Sequence, residues 1–166
     1  MEKNNKKKGF TLIELLAVIV VLAIVAVLGA SIILPALANA RKDAFVTESN
    51  NFIEAASNAV NMIQVGSIPK KEYEDAGAKY DTDAKKYCFT LESLRELGLF
   101  DKKDITGYNG KVEVDVSNKL HQFTTTFSNK DYYVKTVIGS VKEDNVVEYK
   151  TGENFSNTTG LSDSCS

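Results

Sequence analysis

The chain has a single histidine, His121, and only two cysteines, Cys88 and Cys165. One imidazole offers no second nitrogen ligand, and the cysteine spacing resembles no zinc motif, so a structural zinc site is not expected. No Ser, Cys or His constellation supports nucleophilic catalysis. His121 falls among Thr and Phe in a predicted strand and reads as an exposed strand residue. No glycine-rich loop is present to cradle a phosphate. Asp81-Thr82-Asp83 pairs two carboxylates but lacks the glycine and distal glutamate of a calcium loop, and reads as a solvated turn. There is no internal repeat and no low-complexity linker to mark a second domain. These absences set the expectation of a non-enzymatic protein without metal or cofactor.

What is present is unevenly distributed. From Phe10 to Ala38 the only polar residues are Thr11, Glu14 and Ser31, whereas the rest is rich in Lys, Asp, Asn and Thr. About 20 apolar residues suffice to cross a hydrocarbon core as a helix. The preceding stretch carries Lys3, Lys6, Lys7 and Lys8 against Glu2, the cytoplasmic flank that the positive-inside rule expects. Removing residues 1–9 takes the formal charge from −2 to about −5. That acidic balance argues against nucleic acid as a partner, because phosphate binding is led by Lys and Arg. Both cysteines fall on the predicted outer side, where an oxidising compartment permits a disulfide.

Three readings of the N-terminus compete. One is a plain single-span anchor. Another is a secretory signal peptide, with Ala38-Asn39-Ala40 as a small-x-small cleavage site. Against the signal peptide, the apolar run is about twice the usual length of 7 to 15 residues. Against both stands Glu14, since a carboxylate in lipid costs at least about 2.5 kcal/mol unless paired or protonated.

The third reading comes from a resemblance. Gly9-Phe10-Thr11-Leu12-Ile13-Glu14, a short basic leader ending in glycine and followed by an apolar helix, resembles the processing signature of type IV pilins and pseudopilins. The resemblance implies cleavage after Gly9 by a prepilin peptidase and N-methylation of Phe10. It also implies export from the membrane into a homo-oligomeric helical filament, through an inner-membrane assembly platform and an assembly ATPase. Glu14 would neutralise the Phe10 amine of a neighbouring subunit, pairing two charges otherwise costly in an apolar core. The implied division is residues 1–9 as leader, 10–38 as apolar assembly segment and 39–166 as extracellular headgroup. The alternatives are a pseudopilin of a secretion or competence system, and an exported or anchored binding domain.

Helical patterning continues past the apolar run. Phe45, Phe52 and Ala59 form a seven-residue stripe with Val46, Ile53 and Val60 beside it, and Gly66 with Pro69 marks the stop. A helix from Phe10 to Val65 is predicted, with a bend or loosening near Gly29 and Pro35. Residues 66–109 read as mixed and polar, with one short helix from Leu91 to Leu97 capped by Thr90 and closed by Gly98. The period then changes to two. Val112, Val114 and Val116 alternate with polar residues, as do Phe123, Thr125 and Phe127, and Tyr132 to Ile138 and Val146 to Tyr149 follow. Short connections imply an antiparallel meander, hence an α+β fold with a long N-terminal helix on a C-terminal sheet. The stretch from Thr151 to Ser166 would be loose unless tied, and Cys165 is the tie. Asn154-Phe155-Ser156 and Asn157-Thr158-Thr159 match the glycosylation pattern and read as chance matches.

Overall fold

The computed structural model describes residues 9–101, 105–158 and 161–165. Helix α1 runs from Leu12 to Gln64 and is followed by α2 (Lys70–Asp75), β1 (Lys79–Asp81), β2 (Lys86–Thr90) and α3 (Leu91–Glu96). Four longer or later strands complete the order: β3 (Asn109–Asp115), β4 (Gln122–Ser128), β5 (Tyr132–Ile138) and β6 (Val146–Glu148). The fold is α+β, and the chain divides into two compact units, Met1–Arg41 and Lys42–Ser166.

In the second unit the strands form one six-stranded sheet in the order β1-β2-β3-β4-β5-β6, each pair antiparallel. The C-terminal part of α1 packs on it through Phe45, Ser49, Phe52, Ile53, Ala55, Ala56, Ala59 and Val60, all buried. The predicted heptad stripe is thus the core face, with Val46 only partly covered. Ala and Ser at four of these positions keep the helix surface low, so large sheet residues can fill the space. Phe127 does this, with its ring centroid 5.4 Å from both Phe45 and Phe52. Val112 and Val114 of β3, Phe89 of β2 and Val134 of β5 complete the layer as inward-facing residues.

Two glycines answer to geometry. Gly66 takes φ +78°, its N–H bonding Ile63 O and the next N–H bonding Met62 O, which is the left-handed stop anticipated from sequence. Gly110 in β3 lies so close to β4 that a Cβ would sit 2.8 Å from the Thr126 carbonyl oxygen. Asn50 on α1 holds the β5–β6 connection: its Nδ2 donates to Val141 O at 2.9 Å and its Oδ1 accepts from Val141 N at 2.8 Å. Between β4 and β5 the register shifts, so that Lys135 and Thr136 face the single residue Thr126.

The structure corrects the sequence reading of residues 66–109. Besides α3, with Thr90 and Ser93 bonded reciprocally as a capping box, this stretch supplies α2 and the strands β1 and β2. Tyr87 and Phe89 face the core, and β2 pairs along its whole length with β3. His121 is also relocated: it immediately precedes β4 and is half-buried rather than an exposed strand residue. Asp81 and Asp83 do form a turn, in which Asp81 Oδ1 accepts from the N–H groups of Asp83 and Ala84.

Candidate functional site

The first unit is an apolar helix start with nothing of its own to pack against. Large apolar residues from Leu12 to Leu37 are all exposed, and Phe10 is 85% exposed. The helix is long and apolar enough to cross a membrane by length and composition. An unpartnered apolar surface of this extent is unfavourable in water and demands lipid or other protein around it.

The geometry at its beginning is specific. Gly9, Phe10 and Thr11 precede the first helical residue, Leu12, so the Gly9–Phe10 peptide bond lies outside the helix and Gly9 is exposed. Thr11 and Glu14 cap the helix reciprocally. The Thr11 N–H donates to Glu14 Oε2 at 2.9 Å, the Thr11 hydroxyl donates to the same oxygen at 2.8 Å, and the Glu14 N–H donates to Thr11 Oγ1 at 3.3 Å. A capping box of this form satisfies orphan N–H groups at a helix start and places a negative group where the helix dipole favours one. It also turns the carboxylate back toward residue 10. Both Thr11 bonds go to Oε2, and among the described residues Oε1 has no hydrogen bond, so one carboxylate oxygen is open to a donor from another molecule. The sequence signal for this cap is Thr11-x-x-Glu14 ahead of an apolar run, beyond the polar character of Thr11 alone.

Farther along, α1 is helical through both Gly29 and Pro35. Proline has no N–H, so the Ser31 carbonyl loses its usual partner. The Ser31 hydroxyl meanwhile bonds back to Leu28 O at 2.8 Å. The leader lysines, Lys3 to Lys8, lie outside the described residues.

Cys88 and Cys165 are joined, at a sequence separation of 77 and with Cα atoms 5.7 Å apart. Strand alternation puts Cys88 on the sheet face opposite Tyr87 and Phe89, and therefore opposite α1. The bond ties Cys165 to that outer face. Upstream, the tail makes a short 3-10 turn, Phe155–Asn157, in which Asn154 Oδ1 accepts from the N–H groups of Ser156 and Asn157. Asn157 Oδ1 accepts in turn from the Asn154 N–H, so both asparagines of the glycosylation-like tripeptides serve as turn caps.

These features define a class: an exposed, non-helical Gly9–Phe10 junction, a capped carboxylate and a membrane-capable helix, in a chain of α+β class. Residues 4–30 match the family model for the prokaryotic N-terminal methylation motif, the signature of type IV pilins and pseudopilins. The match includes Gly9, Phe10, Glu14 and most of the apolar run, and it implies prepilin peptidase processing and filament assembly in general. No curated protein and no solved structure matches the chain.

Proposed function

We propose that this chain is the precursor of a structural subunit of a type IV pilus. The peptidase cuts between Gly9 and Phe10, the new amine of Phe10 is methylated, and residues 10–38 pass from the membrane into the core of an extracellular filament. A separate assembly platform and ATPase supply the work. The subunit itself carries out no reaction; its role is to polymerise and to display residues 39–166 for adhesion, aggregation or surface motility. The observation that carries this reading is Glu14, the one carboxylate in an otherwise apolar and uncovered segment, held at the helix start with one oxygen open. After cleavage the Phe10 amine of a neighbouring copy is the donor that this oxygen fits, and pairing removes the cost of burying either charge alone. The disulfide-tied, six-stranded second unit favours a pilus subunit over a secretion pseudopilin.

The test replaces the wild-type protein by Glu14→Ala in the producing cells. Cleavage and membrane residence should persist, because removing an intramembrane charge favours insertion. Filament number should collapse, since breaking a buried pair costs about 3 to 5 kcal/mol at each subunit added. Wild-type numbers of filaments built from the variant alone would refute the pairing mechanism.

A further inference from the structure

A groove of about 370 Å³ lies where the turns before β3 and β5 meet the tail after β6, lined in part by Asn109, Asn129, Lys130, Tyr149, Asn154 and Phe155. All of these residues belong to the second unit. Its hydrogen-bonding character is one-sided. Asn129 Oδ1 accepts from the N–H groups of Asp131 and Tyr132, at 2.9 and 2.8 Å. Asn154 Oδ1 accepts from Ser156 and Asn157, at 3.0 and 3.2 Å. Each amide is therefore fixed by its oxygen, and its two N–H donors are left over; among the described residues neither Nδ2 has a partner. Asn157, by contrast, uses its Nδ2 on Gly152 O.

Lys130 adds a charge to these donors. Its stem lies across Gly107, where a Cβ would meet Lys130 Cε at 2.8 Å, and among the described residues its ammonium has no ion pair. No Asp or Glu lines the groove. The Tyr149 hydroxyl is buried with no hydrogen-bond partner. The Ser128 hydroxyl lies near enough to influence the phenol, but not in full hydrogen-bond geometry. The Tyr149 ring is braced by Tyr133, centroids 4.7 Å apart, and half-buried Phe155 gives a second aromatic surface. A groove rich in fixed donors, with one cation and two aromatic rings, fits a ligand rich in acceptors that also has an apolar face and a negative charge.

We propose that this groove binds an acidic saccharide: a pyranose whose ring carries a carboxylate, with the carboxylate on Lys130, ring or hydroxyl oxygens on the Asn129 and Asn154 amides, and the C–H face on Phe155. The whole protein, isotope-labelled in detergent micelles, is titrated with methyl β-D-glucuronide, methyl β-D-glucoside and acetate, following the Asn side-chain N–H resonances. The glucuronide should shift those of Asn129 and Asn154 and bind at least about tenfold more tightly than either other probe, the value of one charge-assisted contact. Lys130→Gln should bring the glucuronide down to the affinity of the glucoside. Asn154→Asp keeps the turn cap, since aspartate caps as well as asparagine, but replaces the donor by a negative charge and should abolish glucuronide binding at unchanged melting temperature. Equal affinity for glucuronide and glucoside, equal affinity for acetate, no binding of the glucuronide, or full binding by both variants would each overturn the proposal.

Discussion

Reducing the Cys88–Cys165 bond, or replacing both residues by serine, should lower the stability of the second unit by an amount set by the closed loop. With 77 residues of separation, the chain-entropy relation gives a loss of about 4.5 kcal/mol at 25 °C. For a unit of this size, between the small and mid-sized domains for which the slope is known, 1 kcal/mol corresponds to roughly 3 to 6 °C. The melting temperature should therefore fall by about 14 to 27 °C, the product of those two figures. Cys165 is buried and bonded to Cys88, so the same change should release residues 161–165 from the sheet face opposite α1. The assay is thermal unfolding of the whole protein in detergent, followed by circular dichroism near 218 nm, where sheet signal is read, with and without reductant. Hydrogen exchange at residues 161–165 reports tail release. A fall of less than about 5 °C would refute the entropic argument, as it corresponds to under 2 kcal/mol.

Three other substitutions probe the second unit. Asn50→Ala removes both bonds to the Val141 backbone and leaves a buried N–H and C=O without partners, so chemical denaturation should show a loss of about 2 to 4 kcal/mol. Thr125→Val should stabilise by about 1 kcal/mol in the same assay, because Thr125 Oγ1 is buried without a partner and valine has the same shape. Asp115 is held below the usual aspartate range by hydrogen bonds from the Ser117 side chain and backbone N–H. A depressed carboxylate contributes stability that is present above its unfolded value, near 3.8, and is lost as pH falls through the lower folded value. Asp115→Asn should remove that part of the acid dependence, seen as a flatter melting temperature between pH 4 and pH 2.

Much of this architecture was readable because long, strongly periodic segments leave little choice. The predicted limits of α1, Phe10 and Val65, fall within two residues of Leu12 and Gln64, fixed by an apolar run at one end and Gly66 at the other. Strand β3 announced itself by alternation along its length and β4 by Phe123, Thr125 and Phe127, while β5 was set by the β-branched and aromatic run from Tyr132 to Ile138. The missed elements are short, and tertiary pairing rather than local pattern holds them. Strand β1 has three residues, none of them buried, and exists through its register with β2. Strand β2 alternates only Tyr87 and Phe89 inward between lysine, cysteine and threonine, a signal too brief to separate from a polar loop. Helix α2 buries Tyr73 alone. At the site, Glu14 stands out in the sequence because a carboxylate in an apolar run is costly, whereas its bonding to Thr11 requires reading residues 11–14 as a reciprocal cap. The groove near Lys130 was not legible at all, since it joins residues from 107 to 156 that only the sheet order brings together.

The central claim, that residues 10–38 are kept on the mature chain as its assembly helix, is tested most directly by intact-mass analysis of this protein recovered from filaments sheared off the producing cells. The expected mass is that of a chain beginning at Phe10, lacking residues 1–9 and heavier by one methyl group, about 14 Da, on its amine. A mature chain beginning at Arg41 would contradict it, because the apolar helix would then have been discarded as a signal peptide.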